Sequence, residues 1–289
     1  MGPARRRRPD APTTAPRGVA AVDVLDGGDA MGFPSPPMLW ALIKQTEWKP
    51  FLDLLSPSFF RVVPAGPLLA ELRRLAALYR NADTFERAVA LRSASLGRAR
   101  LPIEVTAAKR ADASLKSLDA ASARARGQRV LELFFHQIFD EGLTLLDLRQ
   151  ERFTQREAGD GALLWSPSGA MADWSPEFRG AVRALYRGFY HGDDRLFREG
   201  LSALGLARAE EALRRQFGEG QQREVRFTLR DFQQKFQEVF VRCQETGSTI
   251  DTGFLALGLY LATLYEHLEA LAQPFDARAA FEVATARAP

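Results

Sequence analysis

The stretch that most constrains this chain runs from residue 129 to residue 205. Leu131, Phe134, Phe135 and Ile138 recur at i, i+3, i+4 and i+7, the spacing of one helical stripe. Gly142 is placed to end that helix, because glycine tolerates a positive φ. A short apolar run, a charged run, a Gly159-Asp160-Gly161 turn and a second apolar run follow, which predicts one short hairpin between residues 153 and 164. Helical spacing resumes at Ser175-Pro176-Glu177, a hydroxyl cap, a proline in the first turn and an acid near the positive pole.

Helices dominate the rest of the pattern. Leu68, Leu69, Leu72, Leu75, Ala76 and Tyr79 share a face, and Asp83-Thr84 is placed to cap a further helix running to Arg92. Ile103-Glu104-Val105 reads as a single strand, and residues 107–125 as an exposed helix or a linker. Phe232, Phe236, Val239 and Phe240 line another helix. Asp251 or Thr252 is placed to cap a last long one to about Leu271, where Gly253 and Gly258 predict close helix–helix approach at about 1 kcal/mol of propensity each. The expected fold is mostly α with one short β-hairpin. A basic, proline-rich and disordered arm occupies residues 1–31, a helical region and linker residues 32–126, and a larger helical domain residues 127–289.

The 39 basic and 36 acidic residues leave a net charge of +3, too balanced for nucleic-acid binding across the whole surface. The basic excess is local, in Arg5, Arg6, Arg7 and Arg8. These are either a solvated tail or a contact for an anionic surface, since each basic residue near an anionic membrane contributes about 1 kcal/mol. No apolar segment follows them, and none elsewhere reaches the ~20 residues that span a bilayer. The single cysteine, Cys243, excludes an intrachain disulfide, falls on an apolar helix face and fits a reducing, cytoplasmic setting. Trp40, Trp48, Phe51, Phe59 and Phe60 form an aromatic cluster with two readings, a small helical core or a face for a partner or membrane. His136, His191 and His267 show no metal-ligand spacing, and His136 reads as a boundary residue. Asp193-Asp194 and Glu210-Glu211 read as helix-end charges.

The order helix, glycine, loop, hairpin, loop and Ser-Pro-capped helix resembles the catalytic half of the AarF/UbiB family of atypical, kinase-like proteins. Gln137, Phe139 and Gly142 match that family's Gln-x-Phe-x-x-Gly; Trp174-Ser175-Pro176-Glu177, Gly192-Asp193 and Leu204-Gly205 match its later landmarks; residues 255–275 are similar to its late helix. The resemblance implies a kinase C-lobe-like helical body, with ATP and Mg²⁺ held at a catalytic loop and a metal loop.

The departures lie at the chemistry. The resemblance puts Asp147 at the family's loop aspartate, but Leu145 and Arg149 at its histidines, Glu151 at its glycine and Arg152 at its metal-binding asparagine. Pro167-Ser168-Gly169 stands at the metal-loop triplet, without a carboxylate. No strand lysine of the kinase type precedes residue 127; Lys44, Lys49, Lys109 and Lys116 all lie outside apolar strands. Phosphoryl transfer requires those ligands. The expectation is therefore a non-catalytic, pseudokinase-like scaffold or regulatory binding protein with a protein partner and no cofactor. Two further classes stay open: a membrane-surface accessory to quinone or lipid metabolism, and a weak ATP-dependent phosphotransferase or ATPase in which weak nucleotide binding persists. Asp147, Arg149, Glu151 and Arg152 are either four solvated charges on a loop or a self-neutralising cluster, with Arg152 forking onto Asp147.

Overall fold

The computed structural model describes residues 49–55, 65–108, 118–156, 162–217, 224–248 and 251–286. Ten α-helices and five short strands occur among them. The helices are α1 (Lys49–Leu52), α2 (Ala65–Tyr79), α3 (Ala82–Arg98), α4 (Ala120–Phe139), α5 (Pro176–His191), α6 (Asp194–Ala203), α7 (Glu210–Phe217), α8 (Leu229–Glu245), α9 (Gly253–Leu271) and α10 (Ala277–Ala286). The strands are β1 (Ile103–Val105), β2 (Thr144–Leu145), β3 (Phe153–Gln155), β4 (Leu163–Trp165) and β5 (Met171–Ala172). The mostly α class and the hairpin agree with the sequence: β3 and β4 pair antiparallel with Phe153 opposite Trp165 and Gln155 opposite Leu163. β1 joins β4 in parallel, and β2 pairs with β5 in a separate two-stranded ribbon.

α4 is the central helix. Asp119 caps it by accepting from the Ser122 amide at 2.8 Å, so it begins eleven residues before the apolar stripe that predicts it. Its stripe packs inward, with Leu131, Phe134, Phe135 and Ile138 all buried. It ends at Phe139 with Asp140 as cap, and Gly142, at φ +85°, makes the turn beyond. The expected domain division after residue 126 falls inside this helix, and one hydrophobic core runs from Phe51 to Ala284. The α4 surface admits no side chain at Gly127, where a Cβ would stand 2.1 Å from the Phe275 ring. Gly127→Ala is expected to lower unfolding free energy by about 1–3 kcal/mol, read from urea denaturation, because the phenyl ring must leave its site.

Around α4 the helix ends follow their sequence signals. Ser175 accepts from the Phe178 amide at 3.1 Å, with Pro176 in the first turn of α5. Gly192 closes α5 at φ +71°. α3 is capped by Asn81, which accepts from the Thr84 amide, rather than by Asp83-Thr84; Asn81 precedes the first helical residue and so carries the side chain in reach. At α9 Asp251 accepts from the Gly253 amide, while Thr252 makes no side-chain cap. Gly258 lets α8 approach α9 closely, since a Cβ there would lie 2.8 Å from the Phe236 ring. Phe134 and Phe236 are both buried. Before residue 118 the described chain is helical apart from β1. Lys49 pairs with Asp53 on the surface, and Lys44, Lys109 and Lys116 lie outside the described residues. Among the described residues no helix is long and apolar enough to cross a membrane.

Candidate functional site: the Asp147 loop

Side chains from two helices, α4 and α9, and from strand β4 hold the backbone between β2 and β3. From α4, Gln137 accepts from the Leu145 amide at 3.0 Å and donates to the Leu145 carbonyl and to the Tyr260 hydroxyl. α9 lays Tyr260, Thr263 and His267 along one face at i, i+3 and i+7. Thr263 donates to the Leu146 carbonyl at 2.8 Å, and its Oγ1 lies 3.3 Å from the Leu148 amide. His267 Nδ1 lies 2.8 Å from the Leu148 carbonyl. Glu266 accepts from the Gln150 amide, and Arg126 donates to the carbonyls of Gln150 and Phe153. Trp165 of β4 donates its indole N–H to the Asp147 carbonyl at 2.9 Å.

This frame carries Asp147 into the interior, at 0 % exposure. Arg149 grips it as a fork, with Nε 2.8 Å from Oδ1 and Nη2 2.9 Å from Oδ2. Arg152 adds one bond from Nε to Oδ2, also at 2.8 Å. The fork therefore belongs to Arg149 and not to Arg152, because the 3₁₀ turn Gln150–Arg152 brings Arg152 back toward the carboxylate through Nε alone. Burial opposes the charge on Asp147, yet bonding to Arg149 and the two guanidinium charges hold its carboxyl below the usual range, with Ser168 adding a hydrogen bond. Glu151, about half exposed, pairs with Arg149 at 3.2 Å and with Arg152 at 3.3 Å. The four residues thus form one paired cluster. Phe51, open between a helical core and a partner or membrane face, lies in the core: it is buried under Arg149, whose guanidinium stacks 4.6 Å above its ring. Trp40, Trp48, Phe59, Phe60 and Arg5, Arg6, Arg7 and Arg8 lie outside the described residues.

Pro167, Ser168 and Gly169 pass beside the cluster and close against the end of α2. A Cβ at Gly169 would stand 2.9 Å from the Tyr79 carbonyl. Between this loop, α2, α3 and the hairpin lies a cavity of about 270 Å³, bordered by Arg152, Thr154, Ser166, Pro167, Tyr79 and Phe85.

The end of α4, just upstream, is held by arginines of α5. Arg179, buried to 3 % exposure, donates to the carbonyls of Gln137 at 3.0 Å, Asp140 at 2.8 Å and Gly142. Arg183 adds bonds to Ile138 and Asp140, and Arg187 stacks on Phe139. Burial pulls the Arg179 pKa down to about 10.

The other candidates resolve structurally. His136 is buried rather than at a boundary, because its ring lies 2.8 Å from Ser95 Oγ across α3. Cys243 is buried, and burial pushes its thiol up to about 11. Asp193 caps α6, while Asp194 and Glu210 pair with Arg214. Among the described residues no group of three or more His, Cys, Asp or Glu is placed to hold a metal ion.

His267 is the residue of the frame that the sequence pattern missed. Burial, helped by the Arg126 charge, lowers its pKa to about 3 from the ordinary 6.5. As pH falls below 6.5 the unfolded chain takes up a proton that the folded chain refuses. The stabilisation is therefore present above pH 6.5 and lost as pH falls toward 3, by up to about 1.4 kcal/mol per pH unit. Asp147 adds its own loss only below its ordinary 3.8. His267→Gln, which keeps a donor and an acceptor without titrating, is expected to flatten the pH dependence of unfolding between about pH 6 and 4.

No protein-family model matches the chain, and a search of curated proteins finds no match.

Proposed function

We propose that this chain is a non-catalytic, pseudokinase-like scaffold or regulatory protein, built on a helical body of the AarF/UbiB type and working by binding a protein partner. The observation that carries the reading is the condition of Asp147. A kinase loop aspartate must face a substrate hydroxyl, and the kinase body needs an asparagine and a second aspartate to hold Mg²⁺. Here both Asp147 oxygens are committed to arginines inside the protein. Mg²⁺ needs hard oxygen ligands in near-octahedral array. The residues at the corresponding positions do not fit it, since Arg152 is a cation and Pro167 has no side-chain oxygen.

The test is ATP hydrolysis and phosphotransfer by the full chain with and without Mg²⁺. The expected result is no Mg²⁺-dependent turnover above background. Turnover that requires Mg²⁺ and disappears in Asp147→Asn would establish the enzyme instead.

A further inference from the structure

We infer that the cavity enclosed by α4, α5, α8 and α9 is a binding site for a small neutral carbonyl compound, a ketone or aldehyde of about four heavy atoms. No residue of the Asp147 cluster borders it, so it stands or falls apart from the non-catalytic reading.

The walls are hydrocarbon. Phe134 and Phe135 of α4, Phe236 of α8, and Leu257 and Leu264 of α9 border the cavity, and among the described residues no charged side chain does. The polar side-chain atoms on the wall are phenol oxygens, from Tyr186, Tyr190 and Tyr265. Tyr190 stacks on Phe281 and Tyr265 meets Phe227 edge to face, but their hydroxyls make no hydrogen bond among the described residues. Neither oxygen is sealed from a molecule the size of water. Burial nonetheless raises the pKa of both phenols, so bulk solvent does not hydrate them. The open side of each hydroxyl therefore faces the cavity that both residues border. Tyr265 also raises Tyr190 electrostatically, which places the two phenols near each other. A buried donor without a partner is costly, and one acceptor inside the cavity would satisfy both.

Charge and proton count select the ligand. Asp276 raises the Tyr190 phenol and Asp231 the Tyr265 phenol, each after burial, and the same negative field repels an anion. A cation finds no carboxylate on the wall. A neutral carbonyl oxygen has two lone pairs and no proton, so it accepts from both phenols while its alkyl groups meet the hydrocarbon. Size sets the upper bound. The cavity holds about 90 Å³. An apolar cavity of about 150 Å³ takes benzene, about 25 Å³ per heavy atom, which gives about four heavy atoms here. About three waters would fill the same volume, but each needs two to four polar partners, more than the phenols supply.

The experiment is an NMR titration of the full chain with acetone labelled with ¹³C at the carbonyl carbon. That resonance is expected to move downfield, as for a hydrogen-bonded carbonyl, and to saturate with a Kd of about 1–10 mM, since so small a ligand makes few contacts. Acetate, which matches acetone in size but carries a charge, should bind at least about tenfold more weakly at pH 7. Tyr190→Phe and Tyr265→Phe keep the rings, and each should weaken acetone about threefold to tenfold. Their melting temperatures should stay at or above that of wild type, because each loses only a hydroxyl without a protein partner; a fall in affinity then reports the lost bond and not a damaged core. The double variant should show no downfield shift. Absence of saturable acetone binding overturns the site. Equal binding of acetate, or equal acetone binding by wild type and the double variant, overturns the assignment of a neutral carbonyl held by the two phenols.

Discussion

Asp147→Asn is expected to destabilise the protein by about 3–5 kcal/mol, because it removes the buried carboxylate that Arg149 and Arg152 share. The variant amide would turn an N–H toward Arg149 or Arg152, both of which can only donate. Arg149→Met should cost nearly as much, since it strips the carboxylate of its fork at 0 % exposure. Arg152→Ala removes a single bond from a part-exposed side chain and should cost about 1 kcal/mol. The double change Asp147→Asn with Arg149→Met should fall short of additivity by about 1–3 kcal/mol, measured by urea denaturation at neutral pH. Additive costs would mean that the cluster is a set of independent surface charges.

Replacing Arg179 should have a comparable effect by a different route. Arg179→Met leaves the carbonyls of Gln137, Asp140 and Gly142 without the donor that now binds all three. Bonds from a charged donor contribute about 1.5–3 kcal/mol each and are not additive, so a total loss of about 3–5 kcal/mol is expected. Arg179→Lys keeps the cation near the negative end of α4 but has no planar fork, and should recover less than half. Hydrogen exchange gives the sharper readout. The Leu145 amide, bonded to Gln137 just beyond this helix end, should lose protection in Arg179→Met before the α8 and α9 amides do.

The parts of this molecule that the sequence made legible are those set by local chemistry. Ser175, the 153–165 hairpin and the glycines at 253 and 258 depend on residues within a few positions, or on one missing side chain facing a helix. The Asp147 cluster was legible in composition, since four charged residues lie within six positions, but not in detail. Which arginine forms the fork depends on a 3₁₀ turn that no residue type at 150–152 announces. Phe51 was open between surface and core because its covering residue, Arg149, is almost a hundred positions away and charged. The frame on α9 was hidden for another reason: Thr263 and His267 fall within a largely apolar helix, and apolar periodicity treats them as noise. Read as polar residues at i, i+3 and i+7 with Tyr260, they would have marked a helix face that bonds to a buried loop. β1 was legible as a strand, but its parallel partner β4 was not, because no neighbouring residue specifies the pairing.

The α9 frame also sets when the Asp147 loop can take shape. The loop's bonds to Thr263 and His267 span 115 to 119 residues of chain. At roughly 5–20 residues per second of synthesis, those partners are made about 6–25 s after the loop itself. During that interval Asp147, Arg149 and Arg152 have emerged without the helix that fixes their backbone. The nascent chain must therefore carry the loop open to water and to other proteins until α9 closes over it. A ribosome stalled before residue 260 should present that loop to protease, and one stalled well beyond residue 271 should hide it.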